Sequence, residues 1–385
     1  MHDFERFENV EQLLGQSSPS KPVYCVYPHV YERSTKQFLK GFPGRTLYAI
    51  KANNHPLVVK QLYADGVRHF DCASLEEVAL VADIAPDATN YYMNPVRLPG
   101  DAQKAQQQYG VRHFVVDHHS GLAPLLDEID ATRSVIFARM AVYHDSALES
   151  LSKKYGARPE NIPALLSAIR DAGAEPALAF NVGTGVMDPA AYEHSMHVAA
   201  EVLAKLDFKI RLLDIGGGFP MRYPGFDAPE LAEFFEQVSA TRDAIELTDD
   251  GELMAEPGRA LSAPGLSAIT RVLLRKTDRI YLNDGIYGVF WELRFKGHLK
   301  YPCRVFRNGT LLTGDTKPFR IFGPTCDSTD ELPAAVELPV DIDVNDHIEF
   351  GSIGAYSLSG RTDFNGFYSD HVVSIVGQDA RPPDD

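Results

Sequence analysis

Positive charge is scarce in this sequence. Lysine and arginine total 37 against 53 aspartates and glutamates, a formal net charge of -16. A surface that acidic repels phosphate backbones and anionic bilayers. It argues against nucleic acid or an anionic membrane as partner, suits a soluble protein and favours cationic ligands. Cysteine is scarce too: Cys25, Cys72, Cys303 and Cys326 are the only four. They show no close metal-type spacing, and a chain of 385 residues does not need disulfide staples. A reducing, cytoplasmic compartment is the simplest reading. No apolar run approaches the roughly 20 residues that a membrane helix needs. The opening "MHDFERFENV" lacks the apolar centre of a signal peptide. No internal repeat or low-complexity segment stands out.

What the chain does have is enough apolar content, 44%, to bury large cores, and a length that suggests two domains. From residue 44 to about 260, short apolar runs alternate with helical patterns. Eight runs read as strands buried on both faces: "TLYAIK", "VRHFDCA", "TNYYMN", "VRHFVVD", "SVIFARM", "ALAFNVG", "RLLDIGGG" and "ELMAEPG". Helical patterns separate them. One follows Ser74, with Glu77 three residues on as a capping box; another stops at Gly173, a C-cap. Eight such units predict an α/β fold, a (β/α)8 barrel, with a doubly wound open sheet as the alternative. After Arg259 the texture becomes alternating apolar and polar, with turn residues between runs, which predicts a β domain. "KPVYCVY" near the N-terminus can add a strand to it. The expected division is a barrel over 27–262, and a β-sandwich or barrel domain from 1–26 with 263–385. The tail "GQDARPPDD" reads as frayed.

In barrels the chemistry sits at the C-terminal strand ends. Here those ends carry Lys51, Asp71-Cys72, Arg139, Asn181 to Thr184, Gly216-Gly217-Gly218 and Glu256-Pro257-Gly258-Arg259. Lys51, in "LYAIKANNHP", closes an apolar strand. It reads either as a snorkelling strand-end lysine or as an amine nucleophile whose pKa a dry pocket lowers. "DIGGGFP" after the seventh strand offers backbone N–H groups without side chains in the way, and "EPGR" after the eighth adds a guanidinium. Alone, the glycines make a tight turn, and Glu256 with Arg259 makes a surface pair. Together, on the two loops where barrels bind phosphate, they point to a bound phosphate. An amine and a phosphate cradle on one rim suggest pyridoxal 5'-phosphate, with Glu256 against the ring nitrogen.

In order along the chain, "YAIKAN", "DIGGGFP", "EPGR", "YLNDGIYGVF", "GPTCDS" and "GAYS…FNGF" resemble the barrel-type (fold type III) pyridoxal-phosphate-dependent decarboxylases of basic amino acids. The resemblance is greatest to ornithine decarboxylases and covers nearly the whole chain. It implies α-decarboxylation of an L-diamino acid, L-ornithine to putrescine in polyamine biosynthesis, or L-lysine to cadaverine. It implies that Lys51 holds the cofactor, that Asp71 and Arg139 stand near it, and that Glu256 meets the ring nitrogen. Gly217, Gly218, Gly258, Arg259, Thr184 and Tyr356 would then serve the phosphate. Cys326 would protonate the product carbon, Asp284 and Asp327 would hold the distal ammonium, and Phe364 would wall the pocket. It further implies a homodimer with shared sites, in which Cys326, Asp327 and Phe364 serve the partner's Lys51.

One position departs from the family. Asn181 stands where a histidine usually covers the cofactor ring, and Thr184 replaces a serine. The rivals are a diaminopimelate decarboxylase or another modified-amino-acid decarboxylase, an alanine racemase, and an inactive regulatory homologue. A distal carboxylate would call for basic pocket residues. A dead homologue typically lacks the lysine or the cysteine, and a racemase leaves "GPTCD" unexplained. Taken alone, Cys326 reads as buried filler, Asp284 as a hairpin turn residue and Asp327 as a loop cap. Trp291 reads as a pocket wall or as β-domain core. His55, His118 and His119 show no metal-like context and read as surface residues.

Overall fold

The computed structural model describes residues 4–144, 147–149, 151–295, 297 and 299–384. The eight apolar runs form eight parallel strands: Arg45–Ala49, His69–Cys72, Thr89–Tyr92, His113–Val116, Val135–Met140, Glu175–Phe180, Leu212–Asp214 and Glu252–Ala255. They pair in chain order, and the eighth closes on the first through Met254 opposite Arg45. A closed barrel therefore forms, not an open sheet. Its lumen is packed by Leu47, Tyr91, Val115, Phe137, Leu212 and Met254 among others, all buried.

The helical patterns fall between the strands. Ser74 caps the helix Leu75–Ile84 by accepting the Glu77 N–H. The return contact differs from a capping box: the Glu77 carboxylate takes the N–H of Ala73, one residue before the cap. Gly173 follows the helix Ile162–Asp171 at φ +86°, the left-handed turn that favours glycine after a helix end.

The second unit is a mostly antiparallel ten-stranded sheet. Its long strand Leu266–Lys276 pairs antiparallel with Val23–Val26, so the N-terminal run does join it. Val23–Val26 also pairs parallel with Val372–Ile375 near the C-terminus. "RIYLNDGIYGVFWELRF" is a strand only over Arg279–Leu282. The rest turns, and Trp291–Arg294 form a 3-10 turn. The tail is not frayed through residue 384. Pro382 and Pro383 are buried, Pro383 packs on Gly351, and Arg304 donates to the Arg381 carbonyl at 3.1 Å. Among the described residues no helix is long and apolar enough to cross a membrane.

Candidate active site

Strand alternation builds the rim. Side chains two residues apart on a strand share a face. Leu47 faces the lumen, and so do Phe137, Ala179, Leu212 and Met254. Two steps beyond the last four stand Arg139, Asn181, Asp214 and Glu256, at the C-terminal mouth. Asp71 joins them from the second strand, and Lys51 from the 3-10 turn Ile50–Ala52 after the first.

Lys51 Nζ lies 3.2 Å from Asp71 Oδ2. Asp71 is sealed at 2% exposure, whereas Lys51 keeps 45% and so faces an open pocket. The Asp71 carboxylate, with Glu256 and Tyr356 behind it, holds the Lys51 pKa above its usual value, against the opposing pull of desolvation and of Arg139. This reverses the expectation of a lowered amine pKa, because the carboxylates at the mouth outweigh desolvation. The amine therefore sits beside a ready proton acceptor. Glu256 is half-buried, and desolvation raises its pKa, helped by the neighbouring Asp214 and Asp71. Asp214, which the sequence reading passed over inside "DIGGG", is pushed up to about 7 by burial. Its signal was the two-residue step from Leu212.

The glycines leave no room for a side chain. A Cβ at Gly217 would lie 2.6 Å from the Glu256 carbonyl, and one at Gly258 2.9 Å from Ala52 Cβ. Gly258 precedes the short helix Arg259–Ser262. Tyr356 arrives from the other unit: its N–H donates to the Ala52 carbonyl at 2.8 Å, and its hydroxyl lies 3.7 Å from where a Gly258 Cβ would be. Its φ of +55° is a strained value for a tyrosine.

Arg259 differs from expectation. Its guanidinium is buried and forked onto Glu292, and it also donates to the Tyr223 hydroxyl at 2.9 Å. Its charge is matched inside the fold rather than left free for phosphate or paired with Glu256 at the surface. Asn181 is buried, and its Oδ1 accepts the Gly183 N–H at 3.0 Å. The side chain shapes the turn beneath Gly216. Thr184, half-buried, begins a short strand that pairs with Ala147–Glu149.

A second group lies on the β unit. Cys326 is exposed, and its N–H donates to Asn365 Oδ1 at 3.0 Å. Asp327 accepts from the Tyr287 hydroxyl and from the Thr329 N–H at 2.9 Å. The Tyr287 hydrogen bond holds its carboxyl below the usual range. Phe364 stacks on Tyr287 with centroids 4.6 Å apart. Arg294 also lies over that ring, 4.7 Å from its centroid. The sequence reading missed Tyr287 and Asn365, and also Asp330. Buried Asp330 accepts the Ile286 N–H, the Thr325 N–H and the Thr325 hydroxyl, so it ties the cysteine loop to the "NDG" turn.

Asp284 is not in this group. It is buried, with Oδ1 accepting from Gly285 and Val289 N–H and Oδ2 from the Tyr24 hydroxyl. Burial pushes its pKa up to about 6. The turn reading of "NDG" therefore describes its contacts better than an open ammonium site does. Trp291 packs over Gly360 and edge-on to Phe295. His55 is half-buried, not a surface residue. It caps the helix Pro56–Ala64, and burial, with Arg361 nearby, lowers its pKa to about 4. His118 caps its own helix from the surface, and His119 beside it is exposed.

Residues 29–263 match the family model described as "Pyridoxal-dependent decarboxylase, pyridoxal binding domain". The chain belongs to the pyridoxal-dependent decarboxylases. It is 32% identical to a lysine/ornithine decarboxylase of Selenomonas ruminantium, over 96% of this chain and 93% of that one. It is 29% identical to antizyme inhibitor 2 of Xenopus laevis, over 88% of this chain and 78% of that one. The arginine decarboxylase of Paramecium bursaria Chlorella virus, solved with agmatine, superposes with a TM-score of 0.85 at 25% identity. That match covers 95% of this chain and 99% of that one. The protein is a pyridoxal-phosphate-dependent decarboxylase of basic amino acids with the barrel-plus-sheet fold of that class. The pocket suits its cofactor: an amine beside a carboxylate, the carboxyls of buried Asp214 and half-buried Glu256 at the same mouth, and glycine turns whose Cβ positions are already filled.

Proposed function

We propose that this decarboxylase acts on an L-diamino acid, ornithine first and lysine second. The observation that carries the reading is Asp327, an ionised carboxylate at the open rim, fixed by Tyr287 beside Cys326 and the Phe364 ring. A distal ammonium entering there meets an oriented anion and an aromatic wall. Asp284 shapes the turn that carries Tyr287 and is not counted as an ammonium partner. Arg294, over Tyr287, is the observation favouring the rival: a substrate with a distal carboxylate, such as diaminopimelate.

In this reading Lys51 holds the cofactor covalently and Asp71 takes and returns the amine's proton. Glu256 meets the ring nitrogen. Backbone N–H groups of Gly217, Gly218 and Gly258, with the Thr184 and Tyr356 hydroxyls, meet the phosphate. Arg259 acts by bracing that loop through Glu292, Arg139 tunes the charge at the mouth, and Asn181 shapes the turn under the ring. Bound pyridoxal phosphate supplies the electron sink for the departing carboxylate's bonding pair. The Cys326 thiol then delivers a proton to the α-carbon.

The proposal includes a homodimer. Among the described residues no hydrogen bond or ion pair joins the Lys51 group to the Cys326 group. Phe364, Phe367 and Tyr368 stand exposed around the second group. A head-to-tail pair would bring one subunit's Cys326 to the other's Lys51. It also keeps the domain division at 27–262, with 1–26 and 263–385 as the other unit, and a reducing, cytoplasmic setting, on four free cysteines.

The test is CO2 release from ornithine, lysine, arginine, diaminopimelate and norvaline with added pyridoxal phosphate. Ornithine is expected to lead. Asp327→Ala should lower kcat/KM for ornithine about ten- to a hundredfold, the worth of one hydrogen bond to a charged group, with cofactor absorbance unchanged. Norvaline processed as fast as ornithine would refute the reading, and a preference for diaminopimelate would establish the rival.

A further inference from the structure

Asp214 ends the seventh barrel strand and is wholly buried. Its Oδ1 accepts the Gly216 N–H at 2.8 Å. Its Oδ2 is a buried oxygen with no donor among the described residues. The carboxyl that acts on it from the adjoining strand end is that of Glu256. The two loops are locked together, because the Glu256 N–H donates to the Gly216 carbonyl at 2.8 Å. The charged and titratable groups that act on the pair come from other elements: Asp71 from the second strand, Tyr91 from the third, Arg139 from the fifth, and Lys51 from the turn after the first.

Two ionised carboxylates are acceptors only, so Oδ2 facing Glu256 has no partner in that state. In a dry site two like charges in contact are costly, and such a pair keeps a proton that belongs to both groups. A shared proton turns the opposed acceptors into one hydrogen bond. Burial raises both groups, and the Asp214 charge raises Glu256 further, whereas the hydrogen bond from Glu256 draws Asp214 down, as a pair with one proton between them requires.

We propose that Asp214 and Glu256 form a proton-sharing dyad, and that with the cofactor's ring nitrogen against Glu256 the shared proton resides on Asp214 Oδ2, which donates to and orients Glu256. This rests on the reading that Glu256 meets the ring nitrogen. A protonated ring nitrogen favours the ionised form of Glu256, which leaves Asp214 as the neutral member. Asp214 is thus a positioning residue, and its geometry is one an asparagine reproduces: Oδ1 still accepts from Gly216, and Nδ2 donates where Oδ2–H would.

Two measurements test it. The first uses the apoprotein and needs no cofactor. A carboxyl whose folded pKa is raised, here to about 7, stabilises the fold at low pH, and that contribution is lost as pH rises through the folded value. This pair should therefore pull wild-type Tm down between about pH 4 and pH 7, and Asp214→Asn should flatten that fall. Equal slopes would overturn the dyad. The second measures pyridoxal phosphate Kd by absorbance. Asp214→Asn should stay within about threefold of wild type, whereas Asp214→Ala should weaken binding by about tenfold or more, the loss of a hydrogen bond to a charged group. An asparagine variant as weak as the alanine one would show that Asp214 must be ionised, and would overturn the proposal. If wild type bound no pyridoxal phosphate, the functional reading would fail, while the apoprotein slopes would still decide the dyad.

Discussion

Arg259 shows how a partner distant in the chain fixes a side chain within a motif. A guanidinium next to a glycine turn reads as a phosphate clamp, but here Glu292 takes both arms of the fork in a site where both partners are below one-tenth exposed. Removing one member of such a pair leaves a buried, unmatched charge, at a cost of about 3–5 kcal/mol. Glu292→Ala should lower unfolding free energy by that amount in denaturant melts of the apoprotein. A surface pair would be worth under about 1 kcal/mol, so a small change would show that Arg259 finds another partner. Lys51 teaches the complementary lesson. Its amine is not desolvated into neutrality, because Asp71 at 3.2 Å holds it charged until a proton is transferred.

At the scale of elements, the loop carrying Cys326 is held by a residue outside its motif. Asp330 accepts three hydrogen bonds, one from the Ile286 N–H and two from Thr325, and its carboxyl leaves no room for a Cβ at Gly285 or Gly323. Asp330→Ala would strand buried donors, each costing about 1–3 kcal/mol. We expect about 3 kcal/mol of lost stability and a fall in kcat for the diamino acid greater than the change in cofactor affinity. Cofactor binding that fell in step with kcat would place the damage in the barrel instead. Asn365 holds the same loop from the other side at φ +55°, a left-handed value that asparagine tolerates better than most residues.

At the scale of the molecule, the two functional groups lie on different units, and among the described residues no hydrogen bond or ion pair joins them. If sites are shared between subunits, Lys51→Ala and Cys326→Ala proteins, each nearly inactive, should regain up to about a quarter of wild-type activity on mixing. One of the two sites in each hybrid dimer then carries neither change, and random exchange makes about half the dimers hybrid. Mixtures that stay inactive while mass measurement shows hybrid dimers would place the whole site in one chain.

Local chemistry made much of this legible from the residues alone. Eight apolar runs alternating with helical patterns determine parallel buried strands, and the period of two carries Arg139, Asn181 and Glu256 to the mouth from lumen residues two steps earlier. The lysine, the glycine turns and the cysteine stand in short contiguous motifs, so their chemistry is visible without coordinates. What the motifs could not reveal depends on partners distant in the chain. Glu292 reaches Arg259 across 33 positions, Tyr24 reaches Asp284 across 260, and Tyr287 reaches Asp327 across 40. Asp214 looked like part of a glycine turn until barrel closure set it against Glu256. Charge, burial and proton sharing are properties of a residue's neighbours, and only the tertiary fold chooses them.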